Sequence, residues 1–146
     1  MTEYTNEQIM ENRQKWIDFL ILPETKKGTG YLDRGYGTRC CLGHGAFILG
    51  VHSVVHNSSE IVQYGLERES YHAPVELVEM VGLHAADGSS AIGENGYHHN
   101  MVSTVREDYT SLASLNDASD WTPQQIGEYL KTVIHGGDNT PFKKLV

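Results

Sequence analysis

Two arginines and a tyrosine stand just ahead of a small, apolar, glycine-containing segment. Arg34, Tyr36 and Arg39 are followed directly by Cys40, which we expect to begin a helix. An arginine fork binds phosphate through paired hydrogen bonds, a helix N-terminus offers free backbone amides, and a tyrosine ring can stack on a base. Neither a Walker motif nor a dinucleotide fingerprint is formed, because the Lys-Ser/Thr pair and the third glycine are missing. The pattern predicts a phosphate-binding pocket; the alternative is a structural hairpin whose arginines pair with carboxylates.

A second group of ring-bearing polar side chains lies in the stretch from Glu94 to Asn100. Tyr97 can stack on a ligand, and His98 and His99 can donate to phosphate or take part in cleavage, whereas the alternative is an exposed turn. A long loop in a small domain is more often functional than accidental. The complete set of predicted ligand-binding residues is Arg34, Tyr36, Arg39, Cys40, Tyr97, His98, His99 and Asn116.

The two adjacent cysteines, Cys40 and Cys41, raise the alternative of a thiol enzyme. A cysteine at a helix N-terminus can have a lowered pKa and act as a nucleophile, and a histidine oriented by Asn116 or Asp117 would complete a papain-like site. The structural alternative is that free cysteines pack as small hydrophobes and that Asx side chains cap backbone groups. If the protein is an enzyme, the predicted catalytic residues are Cys40, His44, His98, His99 and Asp117.

Three potential metal ligands recur at intervals of four residues, namely His52, His56 and Glu60. On a helix they would share one face, and two histidines with a carboxylate form a known zinc set. Asn57-Ser58-Ser59 disfavours a continuous helix there, so a polar surface strip is the preferred interpretation. We therefore expect neither a metal nor another cofactor.

Two capping boxes mark the first turns of helices that must position these residues. Thr5 to Gln8 begins a predicted helix that ends near Leu22, before a proline, and Thr122 to Gln125 begins another with an apolar stripe on one face. The segment Cys40 to Leu49 predicts a buried helix. Further predicted helices cover 74–83 and 101–115, and we expect 116–120 to break the last of these.

The region between the first two helices predicts a short hairpin over 31–39, because Gly35 and Gly37 can supply the positive φ of a tight turn. Residues 51–69 fit either a strand pair or a helix extension, and 138–146 are expected to form a loose tail. Together these elements predict one helix-rich α+β domain over residues 1–146, with about four helices and a small antiparallel hairpin element.

The composition narrows the class of protein. The chain has 146 residues, of which 39% are hydrophobic and 21% charged, and this balance fits one globular domain. Its 19 acidic residues outnumber 11 basic ones, and the formal net charge of −8 argues against a nucleic-acid binder, which needs a broad basic face. The polar start does not fit a secretory signal, and no apolar run approaches the roughly 20 residues of a membrane span. Because two adjacent cysteines cannot build a disulfide framework, we expect a cytoplasmic protein, with self-association left open.

The order of these features resembles a group of small proteins common in phage and prophage genomes. The pieces that carry the resemblance are Trp16, 28–37, the Cys-Cys-Leu-Gly at 40–43, the Pro-led helix 74–83, the Leu-Asn-Asp at 115–117, Trp121 and 126–130. The loop 84–100 and the histidine-rich stretch 44–56 depart from the pattern of the group. The group carries no established activity, so the resemblance implies a fold and a phage-type source rather than a reaction.

The leading interpretation is a non-catalytic protein that sequesters a phosphate-containing nucleotide in a preformed pocket. The phage-type resemblance implies one use, namely capture of a host antiviral signal such as a cyclic dinucleotide or an ADP-ribose derivative. One alternative is a hydrolase that cleaves such a signal with a histidine- or cysteine-based site, and another is a protein–protein inhibitor with an acidic surface. The acidic residues are spread along the chain without a block of like charges, which argues against the inhibitor. The expected partner is thus a small molecule, and we expect neither nucleic acid nor a membrane.

Overall fold

The structure, a computed structural model, describes residues 3–55, 60–89, 111–118, 120–138 and 140–146. The helices within these ranges are α1 (Asn6–Ile21), α2 (Cys41–Ile48), α3 (Val75–Val81), α4 (Leu112–Ala118) and α5 (Pro123–Thr132). The strands are β1 (Lys26–Lys27), β2 (Thr38–Arg39), β3 (Ser53–Val55) and β4 (Val62–Tyr64). This helix-rich mixture of helices and small sheets confirms the predicted α+β fold class. In the described part of the chain, every helix is too short or too polar to cross a bilayer.

Helix α1 lies at the centre of the fold, because α2, α3 and α5 all pack on it. The predicted capping box closes its first turn: Thr5 Oγ1 accepts the Gln8 N–H at 3.1 Å, and Gln8 Oε1 accepts the Thr5 N–H at 2.9 Å. The fully buried apolar residues of the helix are Trp16, Ile17 and Leu20. They form the stripe that the neighbouring helices cover, as the helical spacing predicts.

Helix α2 approaches its neighbours closely because it carries glycine at two contact positions. A Cβ atom at Gly43 would overlap the carbonyl oxygen of Leu32, and one at Gly45 would lie 3.0 Å from the Trp16 ring. The Trp16 indole nitrogen donates to the Cys41 carbonyl oxygen at 2.9 Å, which joins α1 to the start of α2. The two glycines, which weaken an isolated helix, are therefore required by packing.

The chain forms the short hairpin predicted over 31–39, and its second arm, β2, has a further partner. An antiparallel bridge joins Asp33 to Arg39. On either side of it, the Arg34 N–H donates to the Thr38 carbonyl oxygen at 2.9 Å, and the Cys40 N–H donates to the Leu32 carbonyl oxygen at 3.1 Å. Strand β2 also pairs in parallel with β1. The chain reverses through positive φ values of +85° at Gly35 and +56° at Tyr36. The predicted hairpin is therefore present, and what the sequence does not predict is the second pairing of β2, with the segment that follows α1.

The later elements follow their local signals closely. Strands β3 and β4 form an antiparallel hairpin, so 51–69 contains strands rather than a helix extension. Helix α3 begins after Pro74, which is its N-cap rather than its first helical residue, and ends at Gly82 with a φ of +66°. The predicted capping box of α5 is confirmed, with the Gln125 N–H donating to Thr122 Oγ1 at 3.1 Å.

Helix α4 includes two residues that were expected to break a helix, Asn116 and Asp117. Asn116 is fully buried; its Oδ1 accepts the Cys41 N–H at 3.1 Å, and its Nδ2 donates to the Gly28 carbonyl oxygen at 2.8 Å. Because the side-chain amide of Asn116 is hydrogen-bonded to other segments, it does not compete for the backbone hydrogen bonds of its own helix. Helix α4 therefore ends within the predicted break at 116–120, but at Ala118 instead of before Asn116. Residues 101–110 of the helix predicted over 101–115 lie outside the described residues.

The predicted loose tail at 138–146 is wrong. Phe142 is fully buried, and its ring meets the Trp16 ring edge-on with centroids 5.9 Å apart. The Lys143 N–H donates to the Gly82 carbonyl oxygen at 2.7 Å. This segment is thus part of the core and of its hydrogen-bond network.

A fully buried arginine, Arg13, connects α1 to three distant segments. Its Nε donates to the Val81 carbonyl oxygen at 2.7 Å, its Nη1 to that of Ile134 at 2.7 Å, and its Nη2 to that of Lys143 at 2.8 Å. Val81 ends α3 and Ile134 follows α5, and a cation is favoured where helix carbonyls lack intrahelical partners. The guanidinium carbon also lies 4.5 Å from the centre of the Phe142 ring. Burial lowers the pKa of Arg13 to about 10, so the side chain remains charged at neutral pH.

Candidate ligand-binding site

A cavity of about 210 Å³ opens between the end of α1, strand β1, the turn before β2 and helix α2. We name it the His44 cavity. It brings together three residues predicted from the sequence, Tyr36, Arg39 and His44. The other residues that line it are Phe19, Leu22, Glu24, Thr25, Lys26 and Gly37.

Aromatic rings form much of the wall of the His44 cavity and of the surface beside it. The Phe19 ring meets His44 edge-on at 5.5 Å and lies 5.8 Å from the Phe47 ring. The Tyr36 side chain is 81% exposed, and its hydroxyl donates to Glu60 Oε1 at 2.7 Å, a contact that raises the pKa of Tyr36. Exposed rings of this kind are free to contact a planar ligand.

His44 is buried and has one ring nitrogen without a partner. Its Nε2 lies 2.6 Å from the Lys26 carbonyl oxygen, and because a carbonyl can only accept, Nε2 carries the proton and donates. Nδ1 is then a lone-pair acceptor, and it has no hydrogen-bond partner among the described residues. Burial lowers the pKa of His44 to about 4, with the nearby Arg39 charge acting in the same direction. The ring is therefore neutral at physiological pH.

Arg39 contributes to the structure of the turn. Its Nε donates to Asp33 Oδ2 at 2.9 Å, and its guanidinium carbon lies 3.6 Å from the centre of the Phe47 ring. Asp33 Oδ2 also accepts the Tyr64 hydroxyl at 2.6 Å, and Asp33 Oδ1 accepts the Gly35 N–H at 2.8 Å. The alternative of an arginine paired with a carboxylate is confirmed for Arg39, which nevertheless also lines the His44 cavity.

Arg34 does not line the His44 cavity. Its Nη1 donates to the Thr29 carbonyl oxygen at 2.7 Å, and its guanidinium carbon lies 5.2 Å from the centre of the Tyr31 ring. Tyr31 in turn stacks on Tyr71 with centroids 5.1 Å apart. The structure therefore does not bring both predicted arginines to one cavity.

The start of α2 is buried, and two of its first backbone amides, those of Cys41 and Gly43, already have partners within the protein, which does not favour a phosphate there. Cys40, 6% exposed, is the N-cap, and its Sγ accepts the Gly43 N–H at 3.4 Å. The Cys41 N–H is bonded to Asn116, as described above. Burial raises the pKa of Cys40 to about 12 and the pKa of Cys41 well above its usual range. A thiol nucleophile needs a lowered pKa, so these shifts are in the opposite direction. The geometry supports the alternative that both cysteines pack as small hydrophobic residues.

Asn116 holds segments together instead of facing a ligand. Besides its bonds to α2 and to Gly28, its Nδ2 donates to Asp117 Oδ1 at 2.8 Å. Both polar atoms of its side chain thus have protein partners, and neither Asn116 nor Asp117 lines the His44 cavity. The predicted roles of these two residues in binding and catalysis do not fit the structure.

The remaining predicted residues divide into two sets. Tyr97, His98, His99 and His56 lie outside the described residues. His52 precedes β3 and Glu60 bonds to Tyr36, so the proposed helical metal strip does not form a helix face. Where the structure describes the chain, no three His, Cys, Asp or Glu side chains are grouped to hold a metal ion.

Three residues at or beside the His44 cavity, Phe19, Lys26 and Phe47, are not identified by the sequence analysis. Phe47 offers a signal, because it lies three residues after His44 and so on the same side of α2. Phe19 reads as a core residue of α1, and Lys26 lies in a stretch that the sequence predicts to be a loop. Their approach to His44 depends on how α1 packs against α2.

A larger and more open groove of about 490 Å³ runs along α5 beside Trp121 and Tyr129. Its other lining residues are Gln124, Gln125, Glu128 and Thr132. The charged residue in this set is Glu128, whose carboxylate would repel an anionic ligand. For a phosphate-containing ligand the smaller His44 cavity is the better candidate.

No protein-family model, curated protein or solved structure matches this chain. The function must therefore be inferred from the geometry and chemistry of the His44 cavity.

Proposed function

We propose that the protein binds a phosphate-containing nucleotide in the His44 cavity without transforming it. The observation that carries the proposal is the convergence of rings and cations at one cavity. Phe19 and Tyr36 can contact a planar base, while Lys26 and Arg39 can attract a phosphate. In a chain with a net charge of −8, local cations of this kind are needed before an anion can approach.

The size and charge of the cavity define how a nucleotide would fit. About 210 Å³ is less than the roughly 300–1,000 Å³ of pockets that enclose a drug-sized ligand. One part of the nucleotide therefore enters, and the rest lies at the mouth beside the exposed Tyr36 ring. Glu24 also lines the cavity and opposes an anion, and Arg39 is already paired with Asp33. Phosphate affinity should consequently depend on Lys26.

The surrounding groups support binding rather than thiol catalysis. Cys40 and Cys41 are buried, their pKa values are raised, and neither lines the His44 cavity. The His44 Nε2–H is held by a backbone carbonyl oxygen. These contacts fix the shape of a preformed site, which reduces the ordering cost of binding.

The phage-type resemblance suggests which nucleotide to test first. We propose a host antiviral signal, such as a cyclic dinucleotide or an ADP-ribose derivative, as the biological ligand. Sequestration of such a signal requires tight binding and no turnover, which is the chemistry proposed for the His44 cavity.

Recovery of bound ligand tests the proposal directly. The purified protein is incubated with nucleotides, cyclic dinucleotides and ADP-ribose derivatives, unbound compounds are filtered away, and heat-released compounds are identified by mass spectrometry. Recovery of an intact compound near one per chain supports sequestration. Recovery of a cleavage product would indicate a hydrolase, and retention of no compound would refute nucleotide binding.

Charge reversal at Lys26 tests the location of the site. Lys26→Glu should weaken binding of the retained compound by about tenfold or more, because it replaces an attraction with a repulsion at short range. Lys15→Glu is the matched control, since Lys15 is exposed on α1 and does not line the cavity. Equal affinities of the two variants would place the site elsewhere. Arg39→Glu is unsuitable because it would set a second carboxylate beside the buried Asp33.

A further inference from the structure

His44, which lines the His44 cavity, carries an unpaired acceptor that specifies the ligand further. The His44 side chain is 1% exposed, and Nδ1 is the one buried side-chain nitrogen or oxygen in the described part of the chain that has no hydrogen-bond partner. A buried acceptor without a donor destabilises the fold, because it has lost its hydrogen bond to water and gained none in return. Structures retain such groups where a water or a ligand supplies the missing partner.

We propose that His44 Nδ1 accepts a hydrogen bond from an amino group on the base of the bound nucleotide. This inference rests on the proposed function, and it assigns the parts of the ligand to places. The base edge enters the His44 cavity, and the phosphate remains at the mouth with Lys26.

The protonation of His44 determines this orientation. Since the Nε2 proton is donated to the Lys26 carbonyl oxygen at 2.6 Å, Nδ1 presents a lone pair. A phosphate dianion carries acceptors only, so a phosphate at Nδ1 would set one lone pair against another. The charged side chains near the ring are Lys26 and Glu24, which line the cavity, and the paired Arg39 and Asp33.

The neighbouring rings fit the same orientation. The Phe19 and His44 rings form a T-shaped pair with centroids 5.5 Å apart, and both residues line the cavity, so Phe19 places an apolar ring beside His44. A base is planar, and it can contact such a ring while its edge reaches a hydrogen-bond acceptor. Discrimination follows, because a site that accepts a hydrogen bond rejects an otherwise identical ligand that lacks the donor.

Two probes that differ in one amino group test the inference. Adenosine 5′-monophosphate carries the amino donor, and purine riboside 5′-monophosphate lacks it. Each is titrated into protein with ¹⁵N-labelled histidine, and the affinity and the His44 Nδ1 resonance are measured by NMR. We expect adenosine 5′-monophosphate to bind about tenfold tighter or more and to shift the Nδ1 resonance.

Each outcome separates the inference from the proposed function. Equal affinities, or tight binding of adenosine 5′-monophosphate with an unchanged Nδ1 resonance, would overturn the inference and leave nucleotide binding intact. Binding of neither probe, together with retention of no compound in the ligand-recovery experiment, would overturn both. His44→Phe keeps a ring and removes the acceptor, so it should abolish the discrimination between the probes, whereas the exposed control His52→Asn should preserve it. The probe comparison needs no variant, so it decides the question even if His44→Phe folds poorly.

Discussion

The substitution Arg13→Met tests whether one buried guanidinium holds three segments of the fold together. Methionine keeps most of the apolar stem and removes every donor, while the carbonyl oxygens of Val81, Ile134 and Lys143 stay in place. Replacing both members of a buried ion pair with apolar groups can be harmless. Here the partners are backbone carbonyls, which no substitution can remove, so we expect a large loss of stability.

The size of the loss follows from the bonds that disappear. Three hydrogen bonds of 2.7, 2.7 and 2.8 Å end on carbonyl oxygens at the ends of α3 and α5 and in the segment around Phe142. Each buried carbonyl left without a donor costs about 1–3 kcal/mol, and partial relaxation towards water reduces the sum to about 3–5 kcal/mol. This is a large share of the roughly 5–15 kcal/mol that stabilises a typical domain.

Urea unfolding measures the effect, with fluorescence of the fully buried Trp16 as the principal signal. For a slope of about 1–3 kcal/mol per molar urea, the unfolding midpoint should fall by about 2 M. Lys15→Met on the exposed face of α1 is the control and should change the free energy of unfolding by less than about 0.5 kcal/mol. Arg13→Lys should be intermediate, because an ammonium group cannot reproduce the guanidinium fork. If Arg13→Met lies within about 1 kcal/mol of Lys15→Met, the carbonyl argument is wrong.

Three further predictions concern α2. Gly43→Ala should lower the free energy of unfolding in urea by more than about 4 kcal/mol, because its Cβ would overlap the Leu32 carbonyl oxygen. Gly50→Ala is the control: it has open space around it and should lower the free energy of unfolding by only about 1–2 kcal/mol, because of its positive φ. The pKa of His44, lowered from 6.5 to about 4, means that the unfolded chain binds the proton more readily, so His44 should lower the free energy of unfolding by up to about 3 kcal/mol as the pH falls from 6.5 to 4. Unfolding curves across that range should show a shallower pH dependence for His44→Phe, and an unchanged slope would contradict the burial of a neutral ring. Cys40, with its pKa raised to about 12, should react with a thiol reagent at pH 8 on the order of 100-fold more slowly in the native protein than in urea, and comparable rates would show that it is accessible.

Features encoded by neighbouring residues could be predicted from the sequence. The capping boxes at Thr5 and Thr122 form in the structure as expected, because each depends on residues within one turn of the helix. The buried stripe of α1 follows from spacing alone for the same reason. These local signals were enough to give the α+β class.

Features that depend on distant partners could not be predicted. The sequence gives no signal that Arg13 is buried, and it places Asn116 in a helix break and Phe142 in a tail, yet all three are fully buried. Each obtains its partners from segments far along the chain. Hydrophobic periodicity and turn signals depend on neighbouring residues, so they do not show which polar side chains are buried against distant segments.

The candidate site shows the same division. The sequence points to Tyr36, Arg39 and His44, which line one cavity, because rings, cations and imidazoles are conspicuous by residue type. It leaves open whether Arg39 binds a ligand or pairs with a carboxylate, and the turn from Asp33 to Arg39 brings that pair together. It does not show that the start of α2, including Cys40, is closed, because that depends on the packing of α2 against α1 and α4.

The contacts of Arg13 also bear on how fast the chain folds. Its three short hydrogen bonds span 68, 121 and 130 positions of the sequence. Contacts of such long range are slow to form, because the entropy of closing the loop is lost before the contact can compensate for it. We therefore expect slower folding than the helix content suggests. Until the distant segments arrive, partly folded chains expose the apolar stripe of α1 beside an unsatisfied cation, and aggregation should compete with folding at high protein concentration.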